Sequence, residues 1–449
     1  MGFQQSHYSP GYDVSHTTQR QNSNESTFIV RQGGQFVKAG ATATHETIDS
    51  KNADHTASSL VCLANSAILN YMDAAPKNGR WFQDNPKTLL ALTALLLFLA
   101  SVCLFVIEIQ PAIRQQLARE AIEKSGGRTE FWGVGGPEWV RNLFGDDFVA
   151  DVHGATVASD AMAARAIVGF PRLEVLELAG KEVTDAALEG LKACPELERV
   201  SLIDTHVTTT GLKNLTELPR LKAICFDGQG VTDAWLELIT KVGLLHRLES
   251  LSLGHTRITD AGLALVNSSR RLKILDLSCT DVTDAGLENL KGFESLHFLN
   301  LHGTRVTDAG LENLQDLTTL VELNLGETRL TDAGLGNLKG LTGLTVLYLN
   351  STTVTDSGLE PIEPLTDLQC LVLDNTRITD AGLGHLKGLS QLYSLYLADT
   401  EITDAGLDHL VGLSQLGFLD VSNTKVTREG AEKLRAALPN CSVHYSTNP

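Results

Sequence analysis

The chain has 449 residues, enough for two or three ordinary domains or for one long repeat array. Its formal net charge is −18, and the acidity is concentrated: 172–449 holds 23 Lys and Arg against 38 Asp and Glu, the first 171 residues 13 against 16. That balance argues against a nucleic-acid partner, and seven scattered cysteines without a CxxC pair spell neither a disulfide framework nor a zinc site.

Residues 1–58 are rich in Ser, Thr, Gln, Asn, Gly and His. So polar a segment buries too little apolar surface to offset its ordering entropy, and it reads as a disordered tail. The segment 59–87 follows as a juxtamembrane stretch, with a short apolar helix expected over 60–72. TLLALTALLLFLASVCLFVI, 88–107, carries no charge and eight leucines. At about 1.5 Å per residue it reaches roughly 30 Å, the thickness of a bilayer's hydrocarbon core, and it predicts one transmembrane helix. Basic residues flank it nearly evenly, with Lys77, Arg80 and Lys87 before it and Arg114, Arg119 and Lys124 after. The N-side charges lie slightly closer, which favours an inside N-terminus and C-terminal repeats outside the cytoplasm. Residues 108–147 read as a linker. GVGG at 133–136 lacks the strand–loop–helix order of a dinucleotide site.

From 148 to 449 the chain repeats. VTDAGLENL at 282–290 returns letter for letter at 306–314, with near-copies at 330–338, 378–386 and 402–410. The Thr residues that mark each copy run from Thr184 to Thr427 at intervals of 24, except 27 between Thr232 and Thr259. Leu272, Leu275, Leu277 and Thr280 give L-x-x-L-x-L followed by Thr, and later copies repeat it. The L-x-L core alternates as a strand buried on one face. Thr283 is placed to cap a helix, with Asp284 in its first turn, where the helix dipole favours a carboxylate. Leu287 and Leu290 turn a helical face onto the strands, and Gly292, Gly340, Gly388 and Gly412 suit the turn that ends it. One such unit is too small to fold alone; stacked units share a core, so each must carry the same packing instructions. The expected fold is an α/β leucine-rich repeat solenoid, a horseshoe of about eleven 24-residue repeats. A divergent unit at 148–170 would cap one end; 431–445 would cap the other, with Cys441 and Val443 shielding the last apolar face.

The (V/I)TDAGLxxL run resembles the TDAGL-type leucine-rich repeats of membrane-anchored proteins of planctomycete bacteria, over roughly two thirds of the chain. The stretch 121–152 is similar to the segment joining span to repeats in that group. The resemblance implies a binding scaffold, and it is specific for fold rather than for function.

No Ser/His/Asp set or paired carboxylates recur at one place, so neither an enzyme, a cofactor nor a small-molecule substrate is expected. His385 and His409, one repeat apart, could face each other across a metal, but the same position is Asn289, Asn313 and Asn337 elsewhere, which makes it a solvated polar slot. The residues flanking the core leucines face the concave side and differ from coil to coil. Those chosen as a protein-binding surface are Phe298, Asn300, His302, Glu322, Asn324, Tyr348, Asn350, Asp374, Tyr396, Phe418 and Asp420. Aromatics among small polar side chains have the composition of an interface hot spot. The expected function is a membrane-anchored scaffold that binds an unidentified protein on this face; the alternative is a structural spacer of the cell envelope without a specific ligand.

Overall fold

The computed structural model describes residues 29–32, 35–38, 112–131 and 152–446. The chain divides into two compact units, Met1–Leu99 and Ala100–Pro449. In the first, Ile29–Gln32 pairs antiparallel with Gln35–Lys38. The rest of the polar tail, the juxtamembrane stretch and the apolar segment 88–107 lie outside the described residues. Among the described residues, no helix is long and apolar enough to cross a membrane.

The second unit is built on a fourteen-stranded sheet whose strands follow chain order from Arg128–Phe131 to Ser442–His444. Every pair is parallel except the first, where Arg128–Phe131 runs antiparallel to Val152–Val157. Parallel neighbours need a crossover, and each coil supplies one through a helical turn on the far side of the core. The register is one leucine per coil: Leu275 lies opposite Leu299, then Leu323, Leu347, Leu371, Leu395 and Leu419. All seven are fully buried. Period-two alternation thus puts one strand face into a continuous core and leaves the other open.

The helical side is shorter than the repeat pattern suggests. Asp284–Leu287 makes a single α-turn and Glu288–Leu290 a 3-10 turn. That is enough, because Leu287 and Leu290, three residues apart, are already fully buried. Of the four glycines expected to end these turns, Gly292 alone takes left-handed backbone, with φ +83°. The three extra residues of the long coil are absorbed on this side: the helix there extends over Asp233–Lys241, while Ala223 still pairs with Ser250.

A second set of contacts ties coil to coil outside the apolar core. Asp284 accepts two hydrogen bonds from the next coil, from the Thr307 backbone N–H at 2.7 Å and from its hydroxyl at 2.6 Å. The same pair recurs from Asp260–Thr283 through Asp404–Thr427 without interruption. The aspartate sits in the first helical turn as the dipole argument places it, but its hydrogen bonds leave the coil. The Thr cap works in both directions: Thr283 Oγ1 accepts from the Ala285 N–H while donating to Asp260. The glycine of TDAGL makes room, since a Cβ on Gly286 would lie 2.4 Å from Asp260 Oδ1. At Asp332, burial pushes the pKa up, but hydrogen bonds from Thr355, Ser357 and the Gly358 N–H outweigh it and hold the carboxyl below its usual range.

Threonine also lines the inner turn after each strand from Ser250–Ser252 to Phe418–Asp420. Thr280, Thr304, Thr328, Thr352, Thr376 and Thr400 are buried, and each hydroxyl donates to the carbonyl three residues back. One short side chain per coil thereby satisfies a carbonyl that would otherwise be stranded beside the core.

Both ends are closed. At the C-terminus the helix Arg428–Ala437 and the strand Ser442–His444 bury Cys441 and Val443. At the N-terminus closure begins before residue 148, within the stretch read as a linker. Residues 112–124 are helical, Ile122 is fully buried in the shared core, and Gly127 lets the chain pass tightly against Ile122 and Met162. The antiparallel edge strand shows no leucine rhythm because it has no coil of its own to complete.

Candidate protein-binding face

The open side of the sheet is the surface the repeat pattern assigned to the concave face. Its side chains fall into rows set by the register. Phe298 and Glu322 are neighbours in one row, which continues through Val346, Cys370 and Ser394 to Phe418. The next row runs Asn300, Asn324, Tyr348, Val372, Tyr396, Asp420, His444. His302, Asn350 and Asp374 follow two residues further on in their own coils. The eleven selected residues therefore share one face, and the later coils bring the aromatics together.

These aromatics are half-buried rather than fully exposed, because side chains on adjacent parallel strands cover one another. Tyr348 and Tyr396 flank Val372, which is left 8% exposed. The rings of Tyr396 and Phe418 are 5.1 Å apart, and His444 lies 5.0 Å beyond Phe418. His444 was missed in the sequence, since its strand belongs to the divergent last coil. Val372 was passed over because valine in a strand carries no functional signal.

Several of the polar choices serve the fold. Asn300 Oδ1 accepts from the His302 N–H at 3.0 Å, Asn324 Oδ1 from Gly326 at 3.0 Å, and Asp420 Oδ1 from Ser422 at 2.9 Å. Each closes a local turn where the strand ends. The Asn350 side chain lies over Gly326, where a Cβ would be 2.5 Å from its Oδ1. His302 Nε2 stands 3.8 Å from Glu327. Asp374 Oδ1 accepts from the Ala398 N–H of the next coil at 2.7 Å.

The electrostatics are those of carboxylates on a partly dry surface. Burial pushes the Asp374 pKa up to about 6; the Ala398 N–H opposes this, and the charges of Asp420 and Asp399 add to it. Burial also raises Glu322, against a hydrogen bond from the Tyr348 hydroxyl. Tyr348 itself is pushed up to about 12, by burial first and then by the Glu322 charge. Burial raises the thiol of Cys370, between Glu322 and Asp374, to about 11, so it is neutral at neutral pH.

On the helical side, His385 Nδ1 contacts Glu363 Oε1 at 2.7 Å. Among the described residues, no group of three or more His, Cys, Asp or Glu side chains converges as metal ligands.

Two family models match the chain. One, described as leucine rich repeat, covers 366–426. A second, also described as leucine rich repeat, covers 246–266, 268–291 and 316–339. No curated protein matches. Among solved structures, the chain is similar to an internalin (inlF) of Listeria monocytogenes str. 4b F2365. That match has 19% identity and a TM-score of 0.47, covering 69% of this chain and 94% of that one. It is also similar to an internalin C2 (inlC2) of the same strain, at 26% identity and a TM-score of 0.40, covering 48% of this chain and 92% of that one. The chain carries leucine-rich repeats, stacked as a solenoid of α/β coils on a parallel sheet.

Proposed function

We propose that the chain is a single-pass membrane protein that displays its solenoid as a protein-binding scaffold, akin to the TDAGL-type proteins it resembles. The segment 88–107 is the anchor, and the repeats lie outside the cytoplasm. The observation that carries the binding reading is the cluster of Tyr348, Val372, Tyr396 and Phe418 on the open face. Core packing does not demand large side chains there, yet three consecutive coils place an apolar group in one row and a fourth adds a ring beside it. Half-buried aromatics presented on a rigid sheet lose little conformational freedom on binding, which is the property of interface anchors.

The test is cross-linking of the full chain to neighbouring proteins in intact membranes, followed by affinity measurement with the partner recovered. Tyr348→Ala with Tyr396→Ala is expected to weaken binding by about 2 kcal/mol or more. Wild-type affinity in a folded double variant would overturn the reading, and a failure to cross-link any protein would favour the envelope spacer. Carbonate washing tests the anchor, since full-length chain released into the soluble fraction would remove it. Protease added to intact cells should trim the repeats, and protection would reverse the orientation.

A further inference from the structure

We propose that the segment seated on this face is cationic as well as apolar: a stretch of partner protein with Lys or Arg beside an aromatic or aliphatic side chain. The proposal rests on the reading of the open face as a binding surface and specifies what it binds.

Beyond Arg199, which stands in the first of its rows, the face is one-signed. From Ser201 onward its three rows hold Asp227, Asp276, Glu322, Asp374 and Asp420 and no Lys or Arg. Cations are not scarce nearby. Just before the strands, Glu198 pairs with Lys222 and Glu249 with Lys273, each one coil apart. On the face itself the pairing is with neutral donors: Glu322 with the Tyr348 hydroxyl, Asp374 with the Ala398 N–H, Asp420 with the Ser422 N–H. Among the described residues, no cationic side chain forms an ion pair with these three. Asp374 and Glu322, half-buried without a counter-charge, are held at an energetic disadvantage, and burial raises the pKa of both. A cation brought by a partner would remove that disadvantage at the moment of docking.

The apolar and acidic groups are also interleaved at the right scale. Tyr348, Val372 and Tyr396 are in consecutive coils, and the charges of Glu322 and Asp374 both reach Cys370 beside them. A Lys or Arg stem lying across the tyrosines would gain from its methylenes and from the ring faces, with its head at a carboxylate. Nucleic acids and anionic lipid surfaces carry the same negative charge as this face and are disfavoured.

The experiment is selection of a phage-displayed library of random linear peptides on the full chain in detergent micelles. The winners are then measured against two variants. One is Tyr348→Ala/Tyr396→Ala. The other is Glu322→Gln/Asp374→Asn, whose amides keep the hydrogen-bond acceptors. The expected winners carry Lys or Arg next to an apolar residue and lose about tenfold or more in affinity on both variants. Replacing their basic residue with Gln should have the same effect on the wild-type chain. Winners that need the tyrosines but carry no basic residue, or that bind the amide variant unchanged, would overturn the cationic assignment and leave the binding face standing. Winners indifferent to the tyrosines, or no enrichment at all, would overturn both.

Discussion

A Cβ on Gly310 would lie 2.4 Å from Oδ1 of Asp284, one coil earlier in the solenoid. That oxygen receives the Thr307 N–H, so the aspartate cannot retreat without losing the bond between coils. Gly310→Ala should therefore destabilise the repeats by about 1–3 kcal/mol, as overpacking does. In an Asp284→Ala background the same change should be much milder, and a urea-unfolding double-mutant cycle would reveal the coupling. Independent, additive effects would show that the glycine is not there to admit the carboxylate. The chain already contains a natural version of the double change. Trp235 stands at the glycine position, and the preceding coil has Thr209 where its aspartate would be. Freed of the carboxylate, the site holds a buried indole packed edge-on against Phe226 at 5.0 Å.

Leu347 and Tyr348 are adjacent in sequence and opposite in role. Leu347 is fully buried, and Leu347→Ala should cost about 2–5 kcal/mol by opening a cavity. Tyr348→Ala with Tyr396→Ala leaves that core intact but uncovers Val372, so a loss of about 1–2 kcal/mol is expected, well short of unfolding. Chemical denaturation followed by circular dichroism would rank the two. An equal or greater loss for the tyrosine pair would place those rings in the stabilising core.

Asp374 makes stability depend on pH in a particular direction. Its folded pKa of about 6 lies above the ordinary aspartate value of 3.8, so the fold favours the protonated acid. The associated stability is present below about pH 4 and is lost as pH rises through 6. Asp374→Asn imitates the protonated form and retains an acceptor for the Ala398 N–H. It should match wild type at about pH 3 and exceed it by of order 1–2 kcal/mol at about pH 8. Melting temperatures of both proteins across that range would check this; a gap that does not change with pH would refute it.

Glu327 is held at φ +55°, left-handed backbone that side chains with a Cβ adopt at a cost. The same turn recurs in every coil, and Gly303 and Gly228 occupy it where the sequence permits. Glu327→Gly should therefore stabilise by about 1 kcal/mol, net of the entropy glycine adds to the unfolded chain. A fall in the urea midpoint would mean that the weak His302 contact outweighs the strain.

The solenoid was legible because its signal is local and periodic: the leucines at 272, 275 and 277 announce a strand within six residues, and the 24-residue spacing announces the stack. What the sequence concealed depends on residues a whole coil apart. Asp284 reads as a dipole partner for its own helical turn, and nothing nearby shows that its hydrogen bonds go to Thr307. Asn300 and Asn324 read as free choices on an open face until their bonds to the second following N–H are seen. The edge strand at Arg128–Phe131 escaped because an antiparallel closing strand carries no repeat. Of the face itself, the composition was visible, but the covering of Val372 by two tyrosines was not, since it follows from register.

The Asp–Thr bonds give every coil from Thr259 to Asp404 the same plug behind and socket ahead, and the series stops at Arg428, which stands at the aspartate position. A block cut from Asp260 through Thr403 at any whole multiple of 24 residues would fit against the neighbours of the block it replaced. Copy number is therefore a quantity that gene duplication and deletion can change without redesigning a contact, each step lengthening or shortening the arc by about 4.8 Å. The letter-for-letter identity of 282–290 and 306–314 is what such copying leaves behind. The coil carrying Trp235 is outside this commerce: its bulky ring tolerates only a predecessor without aspartate, so that junction has a fixed order while its successors are free to multiply.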